Sequence, residues 1–248
     1  MRKIYYTLTL LLFFNVLNAQ TAEEVVEQYL ITMGGGKFWK NIEATRQIGI
    51  VSIEGMDLPC MILQARPNLM YIELTLDTAE NKKIIDAYDG KIAWARNPFT
   101  LSLLPIIKDS IETKEVASDA FEDELVDYEA KGHAIRLDST EEISGKKCFR
   151  LILTRKTGDE KVFLINTENF SLMVIRSFVN GKKDEPIELY LNSYKEVAGG
   201  LLLPKTMEVM VNGEVMRSIK IEKVEVNPTF DKKIFSPINW LSINYKDI

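Results

Sequence analysis

Past position 20 the apolar residues first recur at helical spacing and then, for most of the chain, at every second position. Thr21 and Glu24 form a capping box; Val25, Val26, Tyr29, Leu30 and Met33 follow at helical intervals, and Gly34-Gly35-Gly36 ends the pattern. A helix with one apolar stripe must lie on something, and a sheet is the candidate. From 44 onward the period falls to two, predicting strands over 44–54, 58–65 and 69–76 that pair each with the next. The third strand puts Met70, Ile72, Leu74 and Leu76 on one face and Tyr71, Glu73 and Thr75 on the other. Asp89-Gly90, flanked by strand signals, predicts a two-residue hairpin loop, because such loops need positive φ.

After Phe99 the alternation stops. Residues 101–107 form an apolar run broken by Pro105, and 111–130 place Val116, Ala120, Phe121, Leu125 and Tyr128 on one helical face, with carboxylates covering the rest. Such a helix packs on a core, or closes over a cavity with its acidic side in water. Strands return at 133–139, 147–155, 160–166, 171–179, 186–195, 204–211 and 215–226, joined by Ser144-Gly145, Gly158-Asp159, Asn180-Gly181, Gly199-Gly200 and Asn212-Gly213. The tail, Phe230 to Trp240, carries aromatic residues without period and is expected to seal one end of the sheet. The fold class is therefore α+β, mainly β: a single curved antiparallel sheet with helices lying on it. No linker divides the array, so residues 20–248 read as one domain.

Residues 1–19 read as a signal peptide. Arg2 and Lys3 precede the apolar run Ile4 to Leu17, and Asn18-Ala19 supplies a small residue before Gln20. No cysteine stands near that point, so the mature amino terminus is expected to be unlipidated and the chain periplasmic, not membrane-spanning. Removing the leader leaves 29 basic against 36 acidic side chains, a net charge of −7. That balance lacks the basic stripe a nucleic acid demands. Cys60 and Cys148 either bridge in an oxidising compartment or stand apart as buried thiols, a choice geometry decides.

Catalysis lacks parts. His133 is the single histidine, and no Gly-x-Ser-x-Gly elbow, phosphate loop or Cys-x-x-Cys pair occurs. Asp86 with Asp89 has no spacing that makes acid–base work specific. No catalytic, cofactor or metal residue can be named, and an enzyme is not expected. What the chain offers instead is adaptable apolar surface, with Met33, Met56, Met61, Met70, Met173, Met207, Met210 and Met216 alongside many Ile and Leu. Methionine suits either irregular core gaps or a cavity that accepts varied acyl chains.

The segment Arg66-Pro67-Asn68-Leu69, then Asp89-Gly90-Lys91, Trp94 and Asn97-Pro98-Phe99, resembles the LolA family of periplasmic carriers of outer-membrane lipoproteins. The resemblance implies that the sheet is an incomplete barrel with helices covering the concave face, and that an apolar cavity between sheet and helices holds acyl chains of a lipoprotein or lipid. It implies that Arg66 hydrogen-bonds to a lid formed by 101–107 and 111–130 and keeps it shut until lipid displaces it. Met70, Ile72, Leu74, Trp94, Phe99, Leu101, Leu104, Ile107, Val116, Phe121 and Leu125 are then the expected lipid and lid contacts. An inner-membrane release complex and an outer-membrane acceptor are the implied partners of a monomeric carrier. A sensor domain receiving a lipid or peptide signal on the same scaffold is the alternative.

Overall fold

The computed structural model describes residues 20–77, 82–100, 104–118, 121–178, 182–197 and 200–238. Helix α1 (Ala22–Thr32) begins as its capping box requires: the Thr21 hydroxyl accepts the Glu24 N–H at 3.2 Å, and the Glu24 carboxylate accepts the Thr21 N–H at 2.9 Å. It ends at Gly34, whose φ of +104° favours glycine; a Cβ there would meet the Gly200 carbonyl oxygen at 2.6 Å. A short helix α2 (Gly36–Trp39) follows.

Two meanders then share one sheet. The first comprises β1 (Ala44–Ile53), β2 (Met56–Ala65), β3 (Leu69–Asp77), β4 (Lys82–Tyr88), β5 (Ala93–Arg96) and β6 (Ile106–Ile107). Helix α3 (Ser110–Ser118) separates it from the second: β7 (Ala134–Ile143), β8 (Lys146–Thr154), β9 (Glu160–Asn166), β10 (Leu172–Ser177), β11 (Ile187–Glu196), β12 (Leu202–Val211) and β13 (Glu214–Val226). Each meander pairs strand with next strand, and β1 against β13 fuses them, giving the order β6-β5-β4-β3-β2-β1-β13-β12-β11-β10-β9-β8-β7. Among the described residues this is one antiparallel sheet of thirteen strands, not closed into a barrel. At the fusion Gly49 lies so close to β13 that a Cβ would stand 2.0 Å from the Lys220 carbonyl oxygen.

The register assigns every strand residue to a face, because directly opposed antiparallel residues share one. On the face that carries α1, one cross-strand row reads Leu191, Met207, Ile219, Val51, Leu58, and another reads Ile221, Gly49, Cys60, Leu74, Ile84. Over β8 to β11 this concave face is packed solid. Val25, Val26 and Tyr29 of α1 bury Leu151, Leu153, Phe163, Ile165 and Leu172, each under a tenth exposed.

The convex face is sealed at two places. A 3-10 helix (Lys232–Phe235) caps β1 to β5, seating Phe235 among Leu63, Tyr71, Ile85, Ala87 and Trp94. The Trp94 indole N–H donates to the Phe235 carbonyl at 2.6 Å. Over β7 to β11 the aliphatic strip Cys148, Ile152, Val162, Leu164 and Val174 shares its face with charged side chains: Arg176 pairs with Glu188 at 2.7 Å and Glu141 at 2.8 Å. The long arginine stem covers apolar atoms while its head stays in water. The tail thus seals the sheet as the sequence predicts, with Trp240 outside the described residues, as are residues 1–19, Leu101 and the turn positions Asn180-Gly181 and Gly199.

Three expectations change. The two-residue hairpin loop falls one position later than expected: the Asp89 N–H donates to the Ile92 carbonyl at 3.2 Å, leaving Gly90-Lys91 as the loop, and the Asp89 carboxylate takes the N–H groups of Lys91 at 2.9 Å and Ile92 at 2.8 Å. Of the helix expected over 111–130, α3 covers the part up to Ser118 and 121–132 runs as turns, with Ala120 outside the described residues. There Asp123 takes the Leu125 N–H at 2.9 Å and Asp127 adopts a φ of +48°, so aspartate side chains compete with the helix for the backbone. Cys60 and Cys148 are free and buried, on strands with six others between them in the sheet, so the reading of two separate thiols holds and the bridge does not form.

Candidate functional site

The concave face is filled over one half and only half-covered over the other. Leu58, Ile62, Met70, Ile72, Leu74 and Ile84 on β2 to β4 point the same way as α1, and all are half-buried. Met207, Val209 and Ile219 extend the strip across β12 and β13 in the same state. Helix α3 packs against β4 and β5 at one side of the strip. Lys108, just before it, pairs with Asp86 at 2.5 Å, so the carboxylate opposite Ile72 on β4 is neutralised in place.

Arg66 stands at the rim, in the turn between β2 and β3. Its Nε donates to the Ile42 carbonyl at 2.8 Å, and one terminal nitrogen donates to the Trp39 carbonyl and to Glu122 Oε1, each at 2.7 Å. The guanidinium carbon lies 5.7 Å from the Phe121 ring centroid. Two residues on, the Asn68 amide donates to the Ala117 carbonyl at the end of α3 at 2.9 Å. One turn therefore fastens the α2 exit, the α3 end and the 121–132 segment together. A planar guanidinium spreads five donors over three nitrogens, so it reaches the Ile42, Trp39 and Glu122 oxygens at once, while Asn68 holds the α3 end.

The 121–132 segment is held by its own acids. Glu122 is shared between Arg66 and Lys131 at 3.0 Å; burial pushes its carboxyl up, but these hydrogen bonds outweigh that and hold it below the usual range. The half-buried Asp123 accepts the Tyr29 hydroxyl, and desolvation raises its carboxyl above the usual range. Glu124 pairs with Lys161 at 2.9 Å, and Asp127 with Lys40 at 2.7 Å. Successive carboxylates thus plug into different elements. The expected solvated acidic face is instead an anchoring one.

The expected lid and lipid residues divide accordingly. Met70, Ile72 and Leu74 lie on the half-covered concave strip, and Val116 sits half-buried on α3. Leu125 is fully buried in the core under α1, and Phe121 packs with Ile42 and Leu201 beside Arg66. Trp94 belongs to the opposite face: it is fully buried beneath Phe235, because β5 turns its indole to the convex side. Phe99, Leu104 and Ile107 lie exposed around β6 rather than over the sheet, since 106–107 pairs with β5 as an edge strand. Leu101 is outside the described residues. His133 accepts the Lys156 N–H at 3.1 Å on Nδ1, and burial lowers its pKa. Among the described residues no group of three or more His, Cys, Asp or Glu side chains could hold a metal ion, and no helix is long and apolar enough to cross a membrane.

No family model and no curated protein matches the chain. Solved structures do. A DUF1329 family protein from Desulfovibrio piger is 12% identical with a TM-score of 0.60, covering 88% of this chain and 98% of that one. A LolA superfamily protein from Nitrosomonas europaea is 14% identical with a TM-score of 0.54, covering 88% and 98%. This chain has a LolA-like fold. An outer membrane lipoprotein-sorting protein domain from Vibrio parahaemolyticus agrees, at 10% identity, a TM-score of 0.56 and coverage of 87% and 97%. At these identities the likeness is one of architecture.

Within the LolA-like fold, the partners of Arg66 escape a reading of the sequence. Glu122 looks there like one more acid on a solvated helix, and Trp39 and Ile42 enter only through main-chain carbonyls, which carry no residue signature.

Proposed function

We propose that this protein is a periplasmic carrier that takes acyl chains of lipoproteins or lipids onto the concave apolar face and shuttles them toward the outer membrane. The observation that supports it is the half-covered strip Leu58, Ile62, Met70, Ile72, Leu74 and Ile84 on a LolA-like sheet whose other half is tightly packed. Each acyl CH₂ moved out of water contributes about 0.8 kcal/mol, so a chain of about 16 carbons offers a gross gain on the order of 10 kcal/mol. Release requires that opening and ordering costs offset most of that gain. Arg66 supplies such a cost: its bonds to Trp39, Ile42 and Glu122 must be exchanged or broken for the rim to open. A signal peptide over 1–19 and a mature chain free in the periplasm complete the reading.

The test is organic extraction of the purified protein followed by mass spectrometry, then incubation of the loaded protein with acceptor vesicles. A carrier copurifies with acylated material in near-stoichiometric amount and passes it on. Protein isolated from its native envelope without bound lipid, and unable to take up a fluorescent fatty acid, is not a carrier. Tight binding without transfer favours the sensor alternative.

A further inference from the structure

A second apolar surface lies outside the half-covered strip, along one flank of α1. Between that helix and residues 125–129 runs an open groove of about 500 Å³. Its floor is Val26 and Leu30 of α1 with Tyr128, and Ile31, 60% exposed, extends it at the helix end. The rim is acidic: Glu23 and Glu27 on one bank face Asp127 and Glu129 on the other, all exposed, and among the described residues the single lining cation, Lys40, is already paired with Asp127. Burial, then Glu129 and Glu23, push the Tyr128 phenol above its usual range, as a locally negative field requires.

An apolar floor between carboxylate banks selects its occupant by charge. An anionic lipid surface is repelled, and a neutral acyl chain leaves both banks unmatched. From Glu23 to Ile31 the bank rises eight residue steps, about 12 Å at 1.5 Å per step, which is two turns of a facing helix. We infer that this groove docks a partner protein through a basic amphipathic helix, whose aliphatic side chains enter between α1 and 125–129 while lysines or arginines meet Glu23, Glu27, Asp127 and Glu129. None of the groove's lining residues belongs to the half-covered strip on β2 to β4, so docking does not rest on the carrier reading.

The probe is a fluorescein-labelled peptide of leucine and lysine with helical apolar spacing, titrated with the full chain and read by anisotropy in low and high salt. Binding is expected to weaken with salt. Glu27→Lys with Glu129→Lys should weaken it at least tenfold, and Ile31→Ser severalfold, while Glu214→Lys with Glu222→Lys, the same charge change on exposed β13 positions, leaves it within twofold. Oligolysine, which lacks the apolar face, should bind at least tenfold more weakly. Hydrogen exchange should show peptide-induced protection at 23–31 and 125–129. Equal losses in both charge-reversed variants would mean attraction by net charge alone. Unchanged binding in the groove variant, or protection on β2 to β4 instead, would equally overturn the proposal.

Discussion

The Arg66 guanidinium meets the Glu122 carboxylate at 2.7 Å, with side chains 28% and 15% exposed. That contact joins the β2–β3 turn to the 121–132 segment across 56 residues of sequence. Arg66→Leu removes it together with two carbonyl partners, and leaves Glu122 half-buried on Lys131 alone. The expected cost is about 2–3 kcal/mol, read from urea unfolding, since hydrogen bonds to charged groups contribute about that much. If the rim is a latch, the variant also retains acyl cargo longer or stays with membranes. Equal release from variant and parent would leave Arg66 a structural residue only.

Glu122 and Asp123 are neighbours whose carboxyls shift in opposite directions, and pH separates them. Glu122 is held below the usual range, so its contribution is present above the unfolded carboxyl pKa of about 4.3 and is lost as pH falls through the lowered value. The melting-temperature gap between the parent and Glu122→Gln should be full near neutrality and shrink in acid. Asp123 is raised, so its contribution is full below the unfolded value of about 3.9 and falls as pH rises through the folded one. Asp123→Asn, still able to accept from Tyr29, should therefore gain on the parent as pH rises toward neutrality. A gap for either variant that is flat with pH would contradict the assignment.

Much of the sheet is legible in the sequence because alternation and Gly turns are local. The strands predicted over 44–54, 69–76 and 160–166 appear within a residue or so, and the face Met70, Ile72, Leu74 is the one turned toward α1. What the pattern hides is which face lies under what. Tyr71, on the more polar side of β3, is the better buried residue, because Phe235 folds back over it from more than 160 positions away. The helix ending at Ser118 is hidden similarly: Asp123 and Asp127 read as surface acids until Tyr29 and Lys40 are seen to receive them.

The two faces of β1 and β2 give a direct test of where cargo goes. Ile62 is half-buried on the concave strip beside Ile72, whereas Ile48, 37% exposed, points to the convex side. A carboxylate placed at Ile62 is forced against an acyl chain, and an ion in an apolar contact is costly. Ile62→Asp should lower fluorescent fatty acid uptake about tenfold, while Ile48→Asp leaves it within twofold, both variants melting close to the parent. Equal effects would show that the concave strip is not where acyl chains bind.

The convex seal should behave as pure structure. Phe235 is 1% exposed, stands edge-on to Phe230 with ring centroids 5.8 Å apart, and covers Trp94 and Tyr71. Truncating such a side chain removes its transfer free energy and leaves a cavity, so Phe235→Ala should cost about 3–5 kcal/mol. Trp94→Phe keeps most of the ring volume but strands the Phe235 carbonyl, at about 1–3 kcal/mol. Because both act on the face turned away from α1, fatty acid uptake measured well below the lowered melting point should match the parent. A loss of uptake in the folded Phe235→Ala protein would mean that the two faces are coupled through β2 and β3. The half-covered strip would then depend on the tail, and truncation after Val226 would abolish binding rather than merely lower stability.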